Sequence, residues 1–400
     1  MWYRVSGLIA FLSLAPMGIA RAADAPQAAV VGRQTVNGHS SRANISADGR
    51  FVAFDSYATN LVAGDKSQTN RVLVHERSTG ATKVVNATGG GAPANGSTVS
   101  AVLTADGRYV AFASDATNLI PEDTNLFRDI FVRELRTGKT ERVSVHTNGA
   151  QAVNGHSSHP SISADGRFVA FESAAINLAG GDTNGLIDIF VHDRQTGATI
   201  RANVSTERYQ AYGGPSYYSS ISADGRYVVF VSDATNLVPG DTNKVSDVFV
   251  HDRVKVTTTR ASVGSGAAQA IGGPSVHPAI SADGRYVAFA SEATNLVPGD
   301  TNGFTDIFVH DRVKGATQRV SVASGGAQAD AGSARPSIST DGRYVAFESG
   351  AANLVPDDTN DVVDVFVRDR QTNKTTRVSV VTDDTASKTA GEPQSKGERK

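Results

Sequence analysis

An Asp-Gly step recurs at Asp48, Asp106, Asp165, Asp224, Asp283 and Asp341, so one unit returns every 58 or 59 residues through six copies. A fixed period of this size constrains the fold more than any other property of the chain. A unit so short cannot bury an apolar face by itself; it gains a core only by stacking on its neighbours. In the fourth copy, Tyr227 to Val231 and Asp247 to Asp252 are runs rich in β-branched and aromatic residues, the composition of strands. Asp-Gly between two apolar runs signals a hairpin, and here it follows a short segment ending in Ile, such as Val276 to Ile280. A fourth run comes after a second turn, as in Thr259 to Val263 and Gln318 to Val322, and no helical period intervenes. The chain is therefore expected to be all-β, a six-bladed β-propeller of four-stranded antiparallel blades over residues 37–380. Phe54, Phe112, Phe171, Phe230, Phe289 and Phe347 are the residues expected to pack between blades. Blade 6 is expected to close the ring with its own strand around Arg377 to Val380, leaving Ala28 to Val31 as an extra edge strand.

The flanks have another character. Arg4, the mostly apolar stretch Val5 to Ala20 and the Ala20-Arg21-Ala22 step form a signal-peptide pattern over residues 1–22, followed by a linker over residues 23–36. The expected product is periplasmic or secreted after cleavage near Ala22. No later run approaches about 18 apolar residues, so membrane insertion is not expected. A net charge of −2 gives no reason to expect nucleic acid. Cysteine is absent, which excludes disulfides and thiolate metal sites. Residues 381–400 are polar and aperiodic and are expected to be a disordered tail.

Residues present in every copy are read first as scaffold. The Asp of each Asp-Gly step and the Arg that follows it (Arg50, Arg108, Arg167, Arg226, Arg285, Arg343) suit turn and ion-pair duty. His75, His192, His251 and His310 take a strand position that Arg133 and Arg368 fill elsewhere, and are read as strand residues. Five copies place Asp, Asn and Asp at positions one, three and seven of a loop: Asp123, Asn125, Asp129; Asp182, Asn184, Asp188; Asp241, Asn243, Asp247; Asp300, Asn302, Asp306; Asp358, Asn360, Asp364. Such alternating oxygens can ligate Ca²⁺; the same side chains can also hydrogen-bond their own loop without a metal. Copy 1 departs, with Asp65, Asn70 and Arg71.

Function is sought where the copies differ. Six residues before each Asp-Gly the chain reads Arg42, Ser100, His159, Tyr218, His277 and Arg335. This position opens the first strand of each blade, which lines the channel of a propeller, so these side chains are expected to ring one channel mouth. With the ring closed, Arg42 and Arg335 become neighbours suited to a carboxylate or sulfate. Tyr209, Tyr212 and Tyr217 are expected to form an adjacent wall for a sugar or peptide.

The run Ser-x-Asp-Gly-Arg-[Tyr/Phe]-Val-Ala-Phe, followed by Asp-[Ile/Val]-Phe-Val-x-Asp-Arg, resembles the propeller repeat of the TolB family over residues 37 to 380. The resemblance implies the propeller fold, without the family's additional amino-terminal domain. It leaves function open, because the same propeller serves translocation factors, peptidase accessory domains and pectin-fragment lyases. No Gly-x-Ser-x-Gly elbow occurs, so serine peptidase activity is not expected. Two classes remain. One is a non-catalytic exported module that binds a protein, peptide or anionic glycan at the channel mouth. The other is a metal-dependent lyase or hydrolase of acidic oligosaccharides, for which His39, His156, His159 and His277 near that mouth are the candidate ligands of a divalent metal. No Asp or Glu of the mouth is identified as its base.

Overall fold

The computed structural model describes residues 36–65 and 69–380; the expected signal peptide, the Ala28 to Val31 strand and the carboxy-terminal tail lie outside the described residues. Each unit forms one four-stranded sheet with its strands in chain order, all antiparallel. In blade 1 they are Ser40–Ile45, Phe51–Ser56, Arg71–Glu76 and Ala81–Val84, and blade 6 ends with Lys374–Arg377. The one helical element among the described residues is the 3-10 turn Ser265–Ala267. The six sheets stand in a propeller arrangement with the first strands of successive blades side by side, so these are the innermost.

The Asp-Gly turn explains its own repetition. Asp48 Oδ1 accepts from Ser46 Oγ at 2.6 Å and from the Arg50 N–H at 2.9 Å, while Gly49 takes φ +69°, a left-handed value that glycine adopts without a Cβ penalty. The glycine is required a second time by the neighbouring blade. A Cβ on Gly107 would lie 2.2 Å from the Phe51 ring, and one on Gly225 2.1 Å from the Phe168 ring. Each turn of blades 2 to 6 is thus the hole into which an aromatic knob of the preceding blade fits. The following arginines make the expected ion pairs across their own sheets, Arg285 Nη2 to Asp311 at 2.7 Å for example, and that hydrogen-bonded fork holds the Asp311 carboxyl down at about 2.

Two faces of each sheet meet different neighbours. Val110, Phe112 and Phe131 of blade 2 pack on Ala53, Val72 and Val74 of blade 1. Ala111, Ile130 and Val132, on the reverse face, receive Val169, Phe171 and Phe190 of blade 3. Phe112, Phe171, Phe230, Phe289 and Phe347 are essentially fully buried, as expected of inter-blade residues. Burying one such ring contributes about 1.5–3 kcal/mol. Five seams of this kind join blades 1 to 6. The expected sixth, between blades 6 and 1, is not formed among the described residues, and Phe54 is only half-buried. His75, His192, His251 and His310 are strand residues as read, each with Nδ1 2.9 Å from a fourth-strand threonine hydroxyl.

Candidate functional site

Every residue of the varied column lies in one unusual backbone state. Arg42, Ser100, His159, Tyr218, His277 and Arg335 all have φ between 48° and 61°. None is glycine, so each carries a left-handed conformation costing about 1–3 kcal/mol that its surroundings must hold in place. The cause is a β-bulge: pairing of first to second strand shifts register between Ser41 and Asn44 in blade 1, and at the matching place in every other blade. A bulge re-aims a side chain without changing the rest of the strand. Its identity is therefore free to differ between copies that otherwise agree.

On blades 3 to 5 the bulge residues touch. The His159 and Tyr218 rings stand edge to face at 5.4 Å, and the Tyr218 and His277 rings lie 5.1 Å apart. Tyr217 adds an edge-to-face contact on Tyr218 at 5.2 Å and anchors its hydroxyl on Ser246 at 3.0 Å and Asp233 at 3.2 Å. Burial pushes the Tyr217 phenol up. For His277, burial and then the nearby Arg335 charge push the imidazole down, and its buried Nδ1 has no hydrogen-bond partner among the described residues. Tyr209 and Tyr212 stand apart from this wall, on the loop that leads into Ser216–Ile221, with 68% and 74% of their surface exposed.

Three acids missed in the sequence complete the rim. Asp55, Glu172 and Glu348 occupy one second-strand position, directly before Ser56, Ser173 and Ser349. Asp55 Oδ2 lies 3.6 Å from Arg42 Nη1 and accepts the Ser100 N–H of blade 2 at 3.0 Å. Glu172 repeats this, with Oε1 2.7 Å from His159 Nδ1 and Oε2 accepting the Tyr218 N–H of blade 4 at 3.0 Å. Glu348 accepts from Arg335 Nη1 at 2.8 Å. Each such carboxylate holds its own blade's bulge side chain, and two of them also hold the next blade's bulge backbone. Burial raises the Asp55 carboxyl to about 6. The expectation that no acid belongs to the mouth is corrected, and the signal was present: this column reads Asp, Ala, Glu, Val, Ala, Glu while its flanking residues barely change. The pairing of Arg42 with Arg335 is corrected too. They stand in the two terminal blades, and each closes on its own carboxylate.

The Asp-Asn-Asp loops are organised around an arginine. In blade 2, Arg142 Nη1 reaches Asp123 at 2.8 Å and Asp129 at 3.2 Å, and Asn125 Nδ2 donates to Asp129 at 2.9 Å. Arg201, Arg260, Arg319 and Arg377 do the same with the first and last acids of blades 3 to 6, which are Asp182 and Asp188, Asp241 and Asp247, Asp300 and Asp306, and Asp358 and Asp364. Asn184 Nδ2 donates to the Ala211 carbonyl, and Asn243, Asn302 and Asn360 donate to the last acid of their loops. The position between the two carboxylates that a Ca²⁺ ion would take is held by a guanidinium. Blade 1 sets a single acid against a single cation, supplied from the other strand. Val84 stands where Arg142 would be, and Arg71, where Asp129 would be, pairs with Asp65.

The four histidines considered for a divalent metal do not converge. His156 Nδ1 accepts the Arg128 N–H at 2.8 Å and its ring packs on Phe127, whereas His159 is held by Glu172. Among the described residues no three His, Asp or Glu side chains form a metal-binding group.

No protein-family model matches this chain, and no curated protein matches it. Among solved structures it is similar to an oligogalacturonate lyase in complex with manganese, at 11% identity over 84% of this chain and 75% of that one, with a TM-score of 0.50. The oligogalacturonate lyase of Vibrio parahaemolyticus gives 12% identity over 83% and 75%, with the same score. TolB from Acinetobacter baumannii is similar at 17% identity over 76% of this chain, with a TM-score of 0.44, and this chain spans 58% of that protein's length. At these identities the likeness to the two lyase structures concerns the fold alone, a β-propeller.

Proposed function

We propose that this chain is an exported, non-catalytic binding propeller that takes its ligand, a protein segment or a cell-envelope glycan, along the inner rim formed by the bulge residues. The observation that carries this reading is the contiguous wall of His159, Tyr218 and His277 on three adjacent innermost strands, each side chain presented from a strained bulge. Rigid amphipathic rings of this kind contribute contact area at low entropic cost, which suits a sugar face or a peptide. The rim carries its own counter-charges, since Arg42 and Arg335 each pair with a carboxylate. A neutral ligand, or one that displaces a carboxylate from its arginine, therefore fits better than a simple anion.

The test is a titration of immobilised glycan and peptide arrays with the purified chain and with a Tyr218→Ala, His277→Ala variant. Loss of at least tenfold in affinity for the bound class, with an unchanged melt, supports the reading. Equal binding by the two proteins refutes the site. An ultraviolet assay on acidic oligosaccharides checks the competing lyase reading: accumulation of unsaturated uronates by the native chain would replace the binding module with an enzyme.

A further inference from the structure

The aromatic wall of the inner rim carries polar atoms that the fold leaves unused. Glu172 Oε1 lies 2.7 Å from His159 Nδ1. A carboxylate only accepts, so the Nδ1 proton is committed to it, and Nε2 of the neutral ring is left as an acceptor. At His277 the assignment is reversed. Its buried Nδ1 has no partner among the described residues, and an unpaired buried donor is rarer in proteins than an unpaired buried acceptor, so the proton belongs on Nε2. Between the two stands the Tyr218 hydroxyl, which can donate or accept. None of these three atoms has a hydrogen-bond partner among the described residues; neither Nε2 is sealed from solvent, and Tyr218 is 38% exposed. The wall therefore offers an acceptor, a hydroxyl and a donor on three rings with successive centroids 5.4 and 5.1 Å apart.

The surroundings of this array are uncharged or already paired. The second-strand position that holds Asp55, Glu172 and Glu348 on other blades is Val231 on blade 4 and Ala290 on blade 5, both buried. The charges that face His277, Arg335 and Glu348, meet each other at 2.8 Å. The main-chain edge is engaged as well. Glu172 Oε2 takes the Tyr218 N–H at 3.0 Å, and the first strands of blades 3 to 5 are each interrupted by a bulge. An extended peptide adding itself as a further strand needs a continuous ladder of main-chain groups, which this edge does not present.

We propose that the ligand of this wall is an uncharged glycan, with one pyranose ring stacked on Tyr218 and its hydroxyls paired with His159 Nε2 and His277 Nε2. The inference rests on the binding reading above and narrows it to one class. A pyranose ring has an apolar C–H face that suits an aromatic ring, and hydroxyls around its edge that donate and accept at once, so it meets both halves of the wall. A uronate would bring its carboxylate to a wall whose facing charges are Glu172 and an arginine already held by Glu348.

The test is calorimetric titration at about pH 8, above the ordinary imidazole value, with hexamers of α-1,4-linked glucose, β-1,4-linked glucose, mannose and N-acetylglucosamine, and with the galacturonate hexamer. At least one uncharged hexamer should bind the native chain at millimolar concentration or below, and more tightly than the galacturonate hexamer does. Tyr218→Phe and His277→Phe keep the rings and remove one hydrogen-bonding group each. Each should weaken that binding by about three- to tenfold, the worth of a single hydrogen bond, while the native circular dichroism is retained. Failure of every uncharged hexamer to bind overturns the proposal, as does tighter binding of the galacturonate hexamer or a binding constant that neither phenylalanine variant changes. The peptide array separates this failure from failure of the site. If peptides bind the native chain and are lost from the Tyr218→Ala, His277→Ala variant, the rim stands as the binding site and the sugar assignment alone is wrong. If neither peptides nor glycans distinguish that variant from the native chain, the site falls with it.

Discussion

Asp55 offers the most quantitative prediction. It is 1% exposed, one carboxylate oxygen accepts the Ser100 N–H, the other has no hydrogen-bond partner, and Arg42 stands 3.6 Å away. Burial outweighs these favourable contacts and raises the carboxyl from 3.8 to about 6. The folded state thus holds this proton more tightly than the unfolded state does. The stability it contributes is fully present below pH 4 and is lost as pH rises through about 6. At about 1.36 kcal/mol per pH unit, the shift corresponds to about 3 kcal/mol. Asp55→Asn keeps an acceptor for the Ser100 N–H and removes the titration. Variant and native chain should then differ little near pH 4, and the variant should become the more stable by about 3 kcal/mol near pH 7.5.

Urea unfolding followed by circular dichroism at several pH values between 4 and 7.5 measures this difference, and subtraction cancels every group the two proteins share. Cancellation matters because His251, held down at about 4 chiefly by burial, gives the native chain an opposite trend in the same range. A difference that stays constant across the range refutes the reasoning. So does one that falls with rising pH, which would mean that the Arg42 pairing, and not burial, sets the carboxyl.

Three further outcomes are expected. Arg260→Ala leaves Asp241 and Asp247 buried without their cation and should cost about 3–5 kcal/mol, read as a lower urea midpoint. The melt of the native chain should be the same in chelator and in millimolar calcium, because a guanidinium already stands between the two loop carboxylates; a calcium-dependent rise would show that the loops take an ion. Phe230→Ala, at a fully buried seam position stacked 6.0 Å from Phe249, should cost about 3–5 kcal/mol, and Phe54→Ala, at a half-buried position, distinctly less, both read as a lower urea midpoint.

What the sequence disclosed and what it withheld follow from where the contacts run. A turn is decided within five residues, so Ser46, Asp48 and Gly49 announce their hairpin directly. An inter-blade phenylalanine is announced by its recurrence. The rim depends on contacts that no local pattern contains: Asp55 meets Ser100 across 45 residues and Glu172 meets Tyr218 across 46, each over a seam. The loop arginines escaped for a related reason, since Arg142 lies 19 residues from Asp123 on the far side of the sheet and looks like an ordinary strand-end charge. Blade 1 nevertheless shows how that partnership could have been read. There the third-strand acid has become Arg71 and the fourth-strand arginine has become Val84, a paired change that leaves one cation facing the first loop acid, Asp65. Two positions that change together between copies of one repeat are held by one interaction, and in this protein that interaction is a buried ion pair between neighbouring strands.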